Sequence, residues 1–261
     1  MKNDISVTGK NISVAWARTL VAVDDAPDHK AVHVVTRISE PTAEDPRIRE
    51  LVDGMLESLD CRPVETVANT IFPAAMAAQT PDPEDLAKRY QAVLPTIKRI
   101  DAANRRGTYF DRLSHYPAPD GTFKNQVAEI IRRIAVERAS NGGPKTARYE
   151  VGLMPFTVDV PVQEPTRDTS TMDFPCLSFL SFQLDRGKLL HVVAHYRSHY
   201  LVQRAYGNYL AIGRLLNYIC NRASIAPGSM TVVAGYAQVE LHANARIDTI
   251  RPYAAEDAAL I

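Results

Sequence analysis

The stretch DFPCLSFLSFQLDRGKLLHVVAHYRSHY, residues 173–200, decides how this chain is read. Its two apolar runs, CLSFLSFQL and LLHVVAHYRS, flank the polar turn Asp185–Lys188. Gly187 supplies the positive φ that a tight hairpin turn favours, so the stretch reads as two antiparallel strands. A short turn brings the start of one strand close to the end of the other, which sets Arg197 near Cys176. A guanidinium beside a thiol favours the thiolate, the reactive form of cysteine. A lone cysteine in apolar surroundings is nonetheless most often an inert core residue. His191, His195 and His199 recur every fourth position, a spacing that would suit zinc on a helix. On a strand, residues four apart lie about 13 Å from one another, at about 3.3 Å per residue. Such histidines cannot share an ion, and no metal site is expected.

Outside the hairpin, composition narrows the possibilities. The chain has 261 residues, 46% hydrophobic and 23% charged, as in an ordinary globular protein, and its formal net charge is zero. That balance gives no electrostatic reason to expect a nucleic acid or an acidic membrane surface as partner. Three widely spaced cysteines, Cys61, Cys176 and Cys220, do not suggest a disulfide framework, and the cytoplasm is the expected compartment. The opening MKNDISVTGK lacks the apolar core of a signal peptide, and no apolar run approaches membrane-spanning length.

Hydrophobic periodicity predicts helices over residues 11–23, 46–59, 82–100 (with Pro95 as a kink) and 123–140, and a long apolar helix over 206–224. Residues 31–39 and 230–241 read as strands, and residues 226–229, APGS, as a turn. PVETVANTIF fits either a helix or a strand. NRRGTYFDRLSHYPAPDGT reads as a long polar and aromatic loop, and residues 144–175 as strands joined by irregular loops. No repeat or linker divides the chain, so residues 1–261 are read as a single domain.

From Phe174 to His242 the sequence resembles the thymidylate synthase superfamily, which includes the pyrimidine nucleotide hydroxymethylases. The shared features are Pro-Cys, a strand, a GKL turn, and a strand ending in Arg-Ser. An asparagine follows eleven positions after that arginine, then a buried helix and a final strand. VETVANTIFP and GTYFDRLSHY match two upstream segments of the family more loosely. The resemblance implies an α+β fold with a large mixed sheet backed by helices, and a homodimer formed through the sheet. It implies that Cys176 attacks C6 of a pyrimidine nucleoside monophosphate, so that C5 can take a methyl or hydroxymethyl unit from 5,10-methylenetetrahydrofolate. Arg197 and Ser198 would hold the phosphate, Asn208 would read the base edge, Glu65 would manage protons, and Tyr109 would stand in the site.

The departures matter too. The family's Arg-Ser-x-Asp reads Arg197-Ser198-His199-Tyr200 here. The histidine and tyrosine that hold the sugar hydroxyl become Gln238 and Glu240. A carboxylate there calls for a donor, which a ribose 2′-hydroxyl would supply. The double arginine before the cysteine is reduced to candidates Lys145 and Arg148, and the sole tryptophan, Trp16, lies far upstream. Only 21 residues follow Glu240, fewer than the family's closing strands and tail would need. The alternative reading is a nucleotide-binding or interaction module on the same fold, without methyl transfer; a third is a different, folate-independent reaction at Cys176 and Arg197.

Overall fold

The computed structural model describes residues 2–105, 107–118, 120–139, 149–152, 176–185, 189–241 and 244–255. The chain opens with β1 (Lys2–Asn3), β2 (Ser6–Asn11), α1 (Ile12–Asp24) and β3 (Lys30–Glu40). A helical stretch follows: α2 (Pro46–Ser58), α3 (Val64–Ile71), α4 (Ala74–Gln79), α5 (Pro83–Ile100) and α6 (Tyr109–Ser114). Then come β4 (Tyr116–Pro117), β5 (Phe123–Lys124), α7 (Gln126–Ala139), β6 (Tyr149–Gly152), β7 (Leu177–Leu184), β8 (Leu189–Tyr196) and β9 (His199–Tyr200). A π-helical turn (Leu201–Ala205) leads into α8 (Tyr206–Ala223), and β10 (Ala226–Gln238) and α9 (Arg251–Ala255) complete the described fold.

The main sheet is mixed and runs β1-β3-β10-β8-β7-β6, with β2 also on β3 and β9 also on β10. It is a large sheet backed by helices, an α+β arrangement as expected. β7 and β8 pair antiparallel through Phe182↔Val192 and Leu184↔Leu190, which is the hairpin read from the sequence. The turn residues 186–188, Gly187 among them, lie outside the described residues, as does most of 144–175. Alternate residues of the central strands enter the core: Leu180 and Phe182 on β7, Val192 and Ala194 on β8, Val232 and Ala234 on β10. Helices α1 and α8 cover that face.

α8 is buried almost throughout because it lies between the sheet and the outer helices α3 and α7. Two glycines permit this. A Cβ on Gly213 would sit 1.9 Å from the Pro41 carbonyl oxygen, and one on Gly207 would sit 2.8 Å from Val67 Cβ.

The sheet breaks along one line. Asp4, between β1 and β2, has φ 59, and His33 in β3 has φ 55, values uncommon outside glycine. The β3–β10 pairing skips His33 and Gly235, between Val34↔Ala234 and Val32↔Tyr236. On the other side of β10, Arg197 and Ser198 fall between the pairs Ala234↔Tyr196 and Ala237↔His199. The same break therefore crosses neighbouring strands and puts Arg197 at an interruption instead of within a ladder.

One open alternative is settled and two expectations need correction. PVETVANTIF contains helix α3, settled by the packing of Val64, Val67, Ala68 and Ile71 in the interior. The expected loop around Tyr109 contains α6, which is only six residues long and too short for periodicity to reveal. Thr108 caps it by accepting from Asp111 N–H at 3.2 Å, and Phe110 packs edge-on against Tyr90 at 4.8 Å. The expected APGS turn is instead the first part of β10, where Ala226 and Pro227 pair with β8 before an irregularity in register.

Gly213→Ala tests the close approach of α8 to Pro41. Alanine favours a helix interior over glycine by about 1 kcal/mol, but forcing a methyl into a filled space costs typically about 1–3 kcal/mol or more. We expect a lower unfolding midpoint in urea, whereas a gain in stability would show that Pro41 can retreat.

Candidate active site

The hairpin places Cys176 where its sequence context suggested. Arg197 N–H donates to the Cys176 carbonyl at 2.9 Å, and Leu177 pairs with Tyr196 in the next register position. Tyr109, carried in by α6, accepts from Cys176 N–H at 3.1 Å and from Leu177 N–H at 3.3 Å. The structure thus unites Cys176, Arg197 and Tyr109 from separate parts of the chain. Burial pushes the Cys176 thiol up, against the opposing pull of Arg197 and Arg204. Burial likewise raises the Tyr109 hydroxyl, with the neighbouring Cys176 adding to the effect.

Behind the cysteine lies a polar interior. Asn208 is buried near the start of α8, and its Nδ2 donates to His199 Nε2 at 3.1 Å. His199 is 2% exposed and stacks on Tyr196 with ring centroids 4.2 Å apart. Burial drives the His199 pKa down to about 3, so the ring is neutral at physiological pH. Tyr196 Oη and His199 Nδ1 are buried and unpartnered among the described residues. Buried polar atoms of that kind call for a water or a ligand group.

The other expected site residues fall in different places. Ser198 sits half-buried in the break between β8 and β9. Gln238 ends β10, in register with Tyr200, and its Oε1 accepts from Tyr236 Oη at 3.0 Å. Glu65 holds Arg214 through two contacts, at 2.7 and 2.8 Å, and Arg49 through a third at 3.2 Å. Hydrogen bonding to Arg214 holds the Glu65 carboxyl below its ordinary range. None of its hydrogen bonds reaches Cys176, Tyr109 or Asn208. Arg148 and Lys145 lie outside the described residues.

Glu240 overturns the argument for a ribose. Its carboxylate accepts from Gln203 N–H at 2.6 Å and from Val202 N–H at 3.4 Å. The donors it needs come from the chain itself, at the π turn, so no ligand hydroxyl is required to satisfy it. Burial raises its pKa against these same backbone bonds.

Two features escaped the sequence reading. Arg204, on the π turn, acts electrostatically on both Cys176 and Tyr109. Arg62 pairs with Asp101 at 2.6 Å and acts on Arg204 in turn. Only the fold brings these positions together, and the sole advance signal was an arginine in an otherwise apolar segment. The described residues contain no metal-binding cluster, and His191, on its strand, instead contacts Ser229 at 2.9 Å. No described helix is long and apolar enough to cross a membrane.

His199 generates a pH prediction. Its folded pKa lies near 3 against an ordinary 6.5, so below about pH 6.5 the unfolded chain binds a proton that the folded chain refuses. Its stabilising contribution is complete above that pH and is lost progressively as pH falls toward 3. His199→Phe is expected to flatten the decline in urea midpoint between pH 7 and pH 5. Identical slopes in the two proteins would show that the ring is protonated in the native state.

No family model matches the chain. Among curated sequences, a protein of Methanopyrus kandleri named "Putative thymidylate synthase" is 36% identical over 76 residues, 29% of this chain and 36% of that protein. The match thus spans about a third of that relative's length. A protein of the same name from Methanococcoides burtonii is 28% identical over 172 residues, 64% of this chain and 70% of its own. In its large helix-backed sheet, its Cys176–Arg197 hairpin and these matches, the chain is similar to proteins named putative thymidylate synthase, at a divergent level of identity.

Proposed function

We propose that the chain adds a one-carbon unit, methyl or hydroxymethyl, to C5 of a pyrimidine nucleoside monophosphate through a covalent adduct at Cys176. The observation that carries this reading is the meeting of Cys176 with Arg197 across the hairpin and with Tyr109 from α6. In the first step the Cys176 sulfur bonds to C6 and the C5–C6 π electrons move toward C5 and the base carbonyl. The thiol proton passes to water as the sulfur attacks, and C5, now carrying the electron pair, becomes the carbon that accepts the new unit. Arg197 and Ser198 hold the phosphate, and the arginine also favours the thiolate. Asn208 offers its amide oxygen to the base while His199 retains its nitrogen. Gln238 faces the sugar side. Glu240 serves the substrate indirectly, by holding the π turn. Glu65, tied to Arg214 and Arg49, acts on protons only if a substrate complex releases it.

The resemblance implies 5,10-methylenetetrahydrofolate as the group that would supply the carbon. The described residues do not fit a folate in any specific way. Trp16, the sole indole, is fully buried in α1 and donates its N–H to the Leu201 carbonyl at 2.8 Å, so it cannot stack on a pterin ring. No step is therefore assigned to that group.

The expected partner is a second copy of the chain, across the face of the sheet opposite α1 and α8. That face carries Phe179, which is 37% exposed, and half-buried Val35, Val193, Val233 and Thr231 in neighbouring registers. Phe179→Asp is expected to shift the sedimenting species from dimer to monomer, and a wild-type protein that sediments as a monomer would end this assignment.

The chemistry is tested with 5-fluoro analogues of uridylate and deoxyuridylate, each incubated with and without methylenetetrahydrofolate. A mass increment on the peptide holding Cys176 is expected, and Cys176→Ser should abolish it while retaining the native circular dichroism. An adduct confined to Cys61 or Cys220 would relocate the reaction. Nucleotide binding that leaves every cysteine unmodified would favour a binding module on this fold.

A further inference from the structure

We propose that Asn208 and His199 form a two-state reader of the pyrimidine base: the amide turns either its oxygen or its nitrogen to the ligand, and the imidazole exchanges tautomer to match. The site then takes both uracil and cytosine nucleotides. This rests on reading Asn208 as the group that meets the base, and it deepens that reading by assigning a role to His199, which the motif resemblance leaves unassigned.

The pair is joined to the Cys176 end of the hairpin by direct contacts. Leu177, next to the cysteine, pairs with Tyr196 across the ladder. The Tyr196 ring stacks on His199 with centroids 4.2 Å apart and planes 8° from parallel. Tyr209, on α8, meets the same imidazole at 5.7 Å. With two aromatic rings against it the imidazole keeps its place, and what stays free is the position of its proton. The backbone at Asn208 is held as well. Beside it, Gly207 runs so close to α3 that a Cβ there would lie 2.8 Å from Val67 Cβ. Rotation about the side-chain bonds is what remains to turn the amide.

The Asn208 amide nitrogen donates to His199 Nε2 at 3.1 Å. Nε2 is then the bare nitrogen, and the one proton of the neutral ring sits on Nδ1. Asn208 keeps 6% exposure, and its amide oxygen has no hydrogen bond among the described residues. That oxygen is not sealed from solvent as Tyr196 Oη and His199 Nδ1 are, so it is the accessible end of the amide. An acceptor there suits the N3–H of uracil, whereas the bare N3 of cytosine calls for a donor. Turning the amide over supplies that donor. It also brings the oxygen round to Nε2, which must then carry the proton.

The exchange breaks no other bond, because Nδ1 is buried and unpartnered among the described residues. A histidine that keeps one tautomer does so through a partner on its second nitrogen. Here the Tyr196 hydroxyl is itself unpartnered, and Tyr209 donates its hydroxyl to Thr36 at 3.3 Å. Both states therefore keep the Asn208–His199 bond. In passing from one to the other, Nδ1 gives a proton to water and Nε2 takes one from water, before the ligand enters, and the net charge is unchanged. Each base then selects the state that fits it.

The test uses the whole chain labelled with nitrogen-15 histidine, and the monophosphates of uridine, deoxyuridine, cytidine and deoxycytidine as ligands. The tautomer is read from the nitrogen chemical shifts, with the His199 signal assigned by its loss in His199→Phe. If that variant loses native circular dichroism, His199→Gln makes the assignment. A protonated Nδ1 is expected in the uracil complexes and a protonated Nε2 in the cytosine complexes. Within each sugar series the two bases should bind within about tenfold of each other, since a fixed amide would leave a buried polar pair unmatched against the wrong base and cost at least that factor. One tautomer in both kinds of complex, or a larger preference for either base, overturns the proposal. Asn208→Ala separates the proposal from the reading beneath it, and should weaken both bases alike. Unchanged affinities in Asn208→Ala would show that Asn208 does not meet the base, and a chain that binds none of the four nucleotides overturns both readings. A loss in Asn208→Ala beside a single tautomer sinks the two-state reader alone. These readouts need no folate and no turnover, so they stand whether or not Cys176 forms an adduct.

Discussion

The pairing of β7 with β8 is the constraint on which the site depends. One backbone bond, from Arg197 N–H to the Cys176 carbonyl, closes the hairpin at the cysteine end. The same ladder buries Leu180, Phe182, Val192 and Ala194 on the face covered by α8. A one-residue slip would turn those side chains outward and move Arg197 away from the thiol. Core burial and site geometry are therefore specified together, and a substitution that loosens one disturbs the other.

Electrostatics at the site are a contest between burial and charge. Removing the thiol from water disfavours its charged form, and the two arginines oppose that cost without overcoming it. The resting cysteine is thus protected from stray chemistry, since the thiol is a far weaker nucleophile than the thiolate. A neighbouring interior of Tyr196, His199 and Asn208 adds polar atoms that the described residues leave incompletely satisfied. Such unpaired groups reduce stability, and they are the kind of local cost that functional sites carry.

The break across the sheet links strain to position. Left-handed residues at Asp4 and His33, with Gly235 beside the Arg197 carbonyl, interrupt neighbouring strands at one level. Arg197 and Ser198 occupy that interruption, so their backbone is released from a regular ladder. Glu240 then holds the following turn by its backbone, which explains why a carboxylate can be buried there without a ligand.

The hairpin, the buried helix α8 and the nearness of Cys176 to Arg197 were legible in the sequence, because each depends on local periodicity and a short turn. The helix carrying Tyr109 was not, since its six residues are held by Tyr90 of α5 and by the adjacent cap Thr108 rather than by a periodic pattern of their own. Glu65 shows a second limit of the sequence. The resemblance implied a proton-handling role for it, but whether a carboxylate meets Arg214 or a substrate depends on how α3 packs on α8. The same holds for Glu240, whose need for a donor was read correctly while the donor itself, the backbone of residues 202 and 203, was invisible. What the sequence alone determined was therefore the sheet hairpin and the meeting of Cys176 with Arg197, because neighbours in the chain dictate them. Tertiary structure decided which distant charges, Arg204 above all, stand against that cysteine, because only the packing of α8, α6 and the sheet brings them within range.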